Sequence, residues 1–315
     1  FVTILVIILP FMQNRLYSIM VQLAVADIAL VATALGPEIW SSNTKTWPFG
    51  SGGCVAYRGL SVLSSTASLY LVTTIALHAL ATVNLEAKAT IQRNKRRDPD
   101  DDEEIRSSRH SLVANSDTST PPRTMNVDYR LVDTTVPIAP PSIFVWVLSV
   151  SLSIPEFALA TTVRVDRDIV VCTLVDSSHK VQMQSLLAVF NLFLPVLIMI
   201  TASFLIVLRL TSKRLRSQIE GSESIAALKL SLSLIFVYGT LCSPRSVINV
   251  YNIYTAAQNR DIELVINNMI LLLSLIFSAA YLIATLIRPI LCIISIPHLK
   301  QIFSFGFRGS DVNNV

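Results

Sequence analysis

Residues 181–210 read VQMQSLLAVFNLFLPVLIMITASFLIVLRL. From Leu186 on, apolar side chains fall on every face of any helix drawn through them, and the first charge is Arg209. About 20 such residues cross the hydrocarbon core of a bilayer. A helix that is hydrophobic all round has no face to offer water. Outward from this stretch, comparable runs lie at Tyr17–Trp40, Cys54–Val83, Ile143–Val163, Ile225–Tyr251 and Ile262–Ile294. Phe1–Met12 is apolar but too short to cross, and reads as the tail of a first helix that lacks its outer part. Pro297–Phe305 places Leu299, Ile302, Phe303 and Phe305 near helical spacing, the pattern of a short helix lying in the membrane interface.

Composition agrees. Of 315 residues, 52% are hydrophobic and 15% charged, against about 25% charged in soluble domains. The formal charge of +4 is too small for a nucleic-acid footprint, and four cysteines are too few for a disulfide scaffold. Most of the Lys and Arg residues fall on one side if Arg15, the Asn84–Pro141 stretch, the Arg209–Lys229 loop and the tail are grouped. That bias puts the C-terminus in the cytosol. The predicted organisation is the end of a first helix with the second and third spans in 1–83, a cytoplasmic loop in 84–141, the fourth to seventh spans in 142–296, and an amphipathic helix and tail in 297–315.

The 84–141 loop differs from its surroundings. Arg93, Lys95, Arg96 and Arg97 meet Asp98, Asp100, Asp101, Asp102, Glu103 and Glu104, and Ser, Thr and Pro follow. Such a segment buries too little apolar surface to offset its ordering entropy. It is expected to be disordered, either as a solvated insertion or as a regulatory segment modified at Ser107, Ser108 or Ser111.

Several landmarks occur in order. Leu23-Ala-Val-Ala-Asp27 puts a carboxylate inside the second span. Trp47-Pro-Phe-Gly50 and Cys54 precede the third. Trp146 and Pro155 mark the fourth, and Cys172 the loop after it. Phe193-Leu-Pro195, Leu241-Cys-Ser-Pro244 and Arg288-Pro289 mark the last spans. Singly each is weak, since Pro is frequent in membrane helices. As an ordered set over nearly the whole chain, they resemble the rhodopsin-like (class A) G-protein-coupled receptors. The resemblance implies an all-α membrane protein, a seven-transmembrane helix bundle with a truncated first helix and a short amphipathic eighth helix. It implies a plasma-membrane receptor for an extracellular ligand, partnered by a heterotrimeric G protein or arrestin and embedded in the lipid bilayer, with no cofactor, no metal and no nucleic acid.

The same alignment implies roles for residues. Cys54 and Cys172 occupy the family's disulfide positions; the alternative is two unpaired cysteines. The family's Asp-Arg-Tyr lines up with His78-Ala79-Leu80, the Trp of its Cys-Trp-x-Pro with Cys242, its Asn-Pro-x-x-Tyr with Arg288 to Cys292, and the inner Tyr of the fifth helix with Ser203. Scaffold landmarks are present while these switch positions are altered, so G-protein activation is expected to be atypical or lost. His78 reads as a hydrogen-bonded structural histidine or a pH switch, and Cys242 and Cys292 as free thiols in packing roles.

An ionisable residue inside a span is a functional-site candidate. In the family the Asp matching Asp27 helps to hold a sodium ion with a Ser that matches Ser68. Here Arg288 replaces an Asn, and its guanidinium can meet the Asp27 carboxylate bidentately or snorkel to the cytosolic interface. Ligand-pocket candidates are Tyr57, Arg58, Ser61 and Arg245. Arg245 can hold an anionic ligand, pair with Glu156, or snorkel outward. Ser61 stands where amine receptors carry an Asp, which disfavours an amine and leaves a peptide or an anionic small molecule. A non-signalling seven-helix scaffold or arrestin-only protein is the alternative. An enzyme is not supported, because no metalloprotease, nucleophile-elbow or phosphate-loop motif is present. A transporter would more often show repeated halves.

Overall fold

The computed structural model describes residues 15–44, 46–97, 136–164, 169–175, 177–211, 222–258 and 264–295. The helices are α1 (Arg15–Thr44), α2 (Gly50–Arg97), α3 (Ala139–Leu159), α4 (Ser177–Ala188), α5 (Leu194–Thr211), α6 (Ser222–Val237), α7 (Ser243–Gln258) and α8 (Leu264–Ser295). A π-helical segment, Val189–Phe193, joins α4 to α5, and another, Tyr238–Cys242, joins α6 to α7. Among the described residues six helical units are long and apolar enough to cross a membrane. The expected first-helix tail (Phe1–Met12) and amphipathic eighth helix (Pro297–Phe305) lie outside the described residues.

α2 is the axis of the bundle. It packs against α1, α3, α5 and α6, and every residue from Thr66 to Ala76 is buried. Its partners are one-sided. On α1, Ile19, Leu23, Ala26 and Leu30 are buried at helical spacing, whereas Val25 and Ile28 are exposed. Leu197, Ile200 and Phe204 of α5 likewise point away from the core. Apolar surface of this kind suits lipid. Gly59 of α2 is buried where any Cβ would run into the Phe157 ring of α3, so glycine permits this close crossing.

Each π segment ends two residues before a proline. Pro195 has no N–H to give either Asn191 or Phe190, its partners in α or π register. Two tyrosines supply the donors: Tyr70 Oη donates to the Phe190 carbonyl at 2.6 Å and Tyr238 Oη to the Asn191 carbonyl at 3.2 Å. Pro244 creates the same deficit at Gly239, whose carbonyl accepts from Ser243 Oγ at 2.5 Å.

Three boundaries differ from the sequence reading. α2 does not end at Val83 but runs to Arg97, so the start of the expected disordered loop is helical. Leu85 to Ala89 are good helix formers, and their propensity outweighs the polarity. Pro140 and Pro141 open α3 rather than closing the loop, because proline is tolerated in the first turn. The part of that loop from 98 to 135 lies outside the described residues. Finally, the fourth span stops at Leu159 and a short hairpin follows it. Strand β1 (Ala160–Arg164) pairs antiparallel with β2 (Val170–Leu174) in the register Thr162 to Cys172. The β-branched run Thr161-Thr162-Val163 favours strand over helix.

Candidate functional site

The hairpin closes one end of the bundle. Cys54 and Cys172 are disulfide-bonded with Cα atoms 5.5 Å apart, which ties β2 to the start of α2. Trp47 is buried beside the bridge. Its backbone N–H donates to Val170 O at 2.7 Å and its indole N–H to Gly50 O at 2.9 Å. Gly50 adopts φ +65, a conformation that suits glycine, and this lets the chain turn directly into α2.

Below this end, α1, α2, α4, the two π segments, α7 and α8 line a cavity of about 230 Å³. Ser61, Ser65 and Ser68 line it from one face of α2, at spacings of one and two helical turns. Arg245 and Asn249 enter from α7, Tyr281 and Arg288 from α8. The Arg245 guanidinium carbon lies 5.0 Å from the Tyr281 ring centroid, a cation–π contact. Among the described residues no Asp or Glu lines the cavity.

At the cavity floor the structure brings Asp27, Ser68 and Arg288 together. Arg288 Nη1 donates to Asp27 Oδ1 at 2.8 Å and also to Ser68 Oγ. Ser68 Oγ donates to the same Asp27 oxygen at 2.6 Å. Arg288 Nη2 turns to Cys242 Sγ at 3.0 Å. The contact is therefore single-point rather than the bidentate fork considered from the sequence, because Cys242 draws the other guanidinium nitrogen aside. Arg288 is only 1% exposed, so it does not snorkel. Asp27 Oδ2 and Arg288 Nε are buried without a hydrogen-bond partner in the described structure.

Two pocket candidates lie elsewhere. Arg58 Nε donates to Glu156 Oε2 at 2.7 Å across the α2–α3 interface, so Glu156 pairs with Arg58 and not with Arg245. Tyr57 packs on Trp47 with ring centroids 5.2 Å apart. Neither Tyr57 nor Arg58 lines the cavity; Ser61 and Arg245 do.

A model of the 7-transmembrane receptor (rhodopsin family) matches residues 1–96 and 125–290. The chain belongs to the rhodopsin family of seven-transmembrane receptors. This rhodopsin-family receptor is a multi-pass membrane protein and not an enzyme. No curated protein matches it.

In this receptor the altered switch positions fall in apolar surroundings. Ala79 and Leu80 are buried with Val83, Ala202, Ile206 and Leu228 in a cluster that joins α2, α5 and α6. His78 is half-buried, and its carbonyl accepts from Thr82 Oγ1 at 2.9 Å. Ser203 Oγ donates to Met199 O of its own helix at 2.7 Å. Cys292 is a buried free thiol in the main core. Cys242 is also a free thiol, but it accepts from Arg288 as well as packing. Past the cluster, Ser224 Oγ of α6 donates to Glu86 Oε1 of α2 at 2.7 Å.

Sequence reasoning missed the three tyrosines. Tyr70, Tyr238 and Tyr281 sit inside apolar runs, where a phenol needs a partner for its hydroxyl or its ring. That was the available signal, but it names no partner. Asn191, which donates to Thr66 Oγ1 at 2.9 Å and lines the cavity, was also missed.

Proposed function

We propose that the receptor works at the plasma membrane, C-terminus in the cytosol, and takes an anionic ligand into the cavity between α2, α7 and α8. One observation carries this reading: the described lining holds Arg245 and Arg288 and no acid. The Arg288 guanidinium meets Asp27, and Arg245, beside the Tyr281 ring on the cavity wall, can meet a ligand carboxylate or phosphate. An amine would meet two arginines, with no acid among the described lining residues.

The signalling half of the reading rests on the aliphatic cluster around Ala79. With Ala79 in place of an arginine and Ser203 bonded to its own backbone, the polar rearrangement that G-protein activation uses in the family lacks its side chains. Activation through a heterotrimeric G protein is accordingly atypical or lost, and a non-signalling scaffold or arrestin-only protein is the alternative.

The ligand reading is tested by thermal unfolding of the receptor in lipid nanodiscs with octanoate, octylamine or octanamide. Octanoate is expected to raise Tm and the other two to leave it unchanged; the Arg245→Gln variant is expected to lose the response. Stabilisation by octylamine alone overturns the reading. The signalling half is tested by ligand-independent G-protein activation and arrestin recruitment in cells. Robust nucleotide exchange overturns it, and silence in both assays favours a non-signalling scaffold.

A further inference from the structure

We infer that the ligand presents an amide N–H to Asn191 Oδ1, which makes the anion of the reading above an N-acylated amino acid rather than a plain fatty acid or a hydroxy acid. The acid group rests on that reading. The amide is derived from a different part of the cavity wall, and from hydrogen bonds instead of charge.

That part of the wall is built of oxygens whose protons are already committed. A hydroxyl has one proton to give and keeps two lone pairs. Ser65 Oγ donates to Val62 O of its own helix at 3.1 Å, Ser68 Oγ to Asp27 Oδ1 at 2.6 Å, and Tyr238 Oη to Asn191 O at 3.2 Å. All three residues line the cavity. Toward a ligand their hydroxyls can accept but not donate.

Asn191 adds the acceptor that is still unmet. It lines the cavity, and its Nδ2 donates to Thr66 Oγ1 at 2.9 Å, which fixes the sense of the side-chain amide. Its Oδ1 is buried and has no hydrogen-bond partner in the described structure. A buried acceptor without a donor is costly, and Ser65, Ser68 and Tyr238 have no proton left to supply one. A ligand donor meets the need.

The donor is an N–H and not an O–H. A hydroxyl that donated to Asn191 would turn its own lone pairs toward oxygens that can only accept. An amide nitrogen brings a proton and no such lone pair. An ammonium would also donate, but it would stand in a cavity whose described lining holds two arginines and no acid.

Packing sets where the amide lies in the ligand. The first π segment, which carries Asn191, packs against α7, which carries Arg245. The N–H and the acid are therefore near neighbours, as they are in an N-acyl amino acid. Leu30, Leu69 and Leu192 supply apolar wall for the acyl chain. The cavity of about 230 Å³ is below the ~300–1,000 Å³ usual for drug-sized ligands, so the chain is short.

The test is calorimetric titration of the nanodisc-embedded receptor with three probes. They are N-hexanoylglycine, its ester isostere hexanoyloxyacetate with an oxygen in place of the N–H, and N-ethylhexanamide, which keeps the N–H and lacks the acid. Hexanoylglycine is expected to bind roughly tenfold tighter than the ester. Thr66→Val removes the acceptor that holds Asn191 Nδ2, lets that amide turn over, and is expected to shrink the ratio to about twofold or less. Asn191→Ala is expected to do the same. If neither variant folds, the isostere comparison on the unmodified receptor decides. Equal affinity for hexanoylglycine and the ester, or an undiminished ratio in Asn191→Ala, overturns this inference and leaves the anionic reading standing. Binding of N-ethylhexanamide as tight as that of hexanoylglycine overturns the anionic reading and leaves the amide N–H in place. Absence of binding by all three overturns both.

Discussion

Arg288 of α8 and Asp27 of α1 meet at 2.8 Å in the interior of the bundle, with the Ser68 hydroxyl donating to the same carboxylate oxygen. Desolvating two charges costs several kcal/mol per ion, so such a pair fixes geometry more than it adds net stability. Breaking one side only is a different matter. Asp27→Ala strands a buried cation and is expected to lower stability by about 3–5 kcal/mol. Asp27→Asn combined with Arg288→Asn is expected to recover much of that loss. Arg288→Asn alone leaves a carboxylate and the Ser68 hydroxyl facing each other without a cation, and is expected to make the receptor more stable in sodium chloride than in the chloride of a bulky organic cation. Thermal unfolding of the four proteins in both salts checks this; sodium-dependent stabilisation of the unmodified receptor contradicts it.

The Arg58–Glu156 pair is asymmetric: the Glu156 side chain is 2% exposed, the Arg58 side chain 21%. Losing Arg58 leaves a carboxylate with nowhere to go. Losing the Glu156 charge leaves a guanidinium that can tilt outward. Arg58→Ala is therefore expected to cost about 3 kcal/mol or more, and Glu156→Gln, which keeps an acceptor, about 1 kcal/mol. Chemical denaturation of the two variants in matched detergent measures the difference. Equal losses would mean that Arg58 is held as tightly as its partner.

Tyr70 and Tyr238 donate to the Phe190 and Asn191 carbonyls, the two that the N–H missing at Pro195 could have served. Tyr70→Phe keeps the ring and deletes only the hydroxyl, leaving the Phe190 carbonyl without that donor. The expected loss is about 1–2 kcal/mol. Adding Pro195→Ala to Tyr70→Phe restores a backbone N–H and is expected to return part of it. A double-mutant cycle read by thermal unfolding gives the coupling, and a value near zero would separate the tyrosine from the proline.

The Cys54–Cys172 bridge ties the hairpin to α2 next to Trp47. Cys54→Ser with Cys172→Ser is expected to cost about 2–4 kcal/mol, the usual effect of a bridge closing a long loop. Trp47→Ala, which removes the buried indole that packs beside the bridge, is expected to make the remaining disulfide reducible by milder thiol. Labelling of released thiols with and without reductant reads both effects.

Much of the fold is legible along the chain because lipid imposes a one-dimensional rule: about 20 apolar residues per crossing. The Val181–Leu210 run and its counterparts follow that rule. The extension of α2 to Arg97 escaped it, since polar helix carries no hydropathy signal. So did the hairpin, whose strands need each other to exist and so depend on a pairing that neither shows alone.

Asp27, Arg288 and the two bridged cysteines were visible as residues because a charge within a span, or a cysteine beside one, is conspicuous in any sequence. What each would touch was less visible. Glu156 was a candidate partner for Arg245, but the rotation of α3 against α2 brings it to Arg58. The guanidinium of Arg288 divides between Asp27 and Cys242 because α1, α2, the second π segment and α8 converge at one depth. Composition and periodicity determined that this chain crosses a membrane as a helical bundle, since both follow from the transfer of side chains from water to lipid. The partner of each buried charge was decided only by the tertiary structure, because a hydrogen bond is met or missed within a few tenths of an ångström, and that distance depends on how helices far apart in sequence are turned against one another.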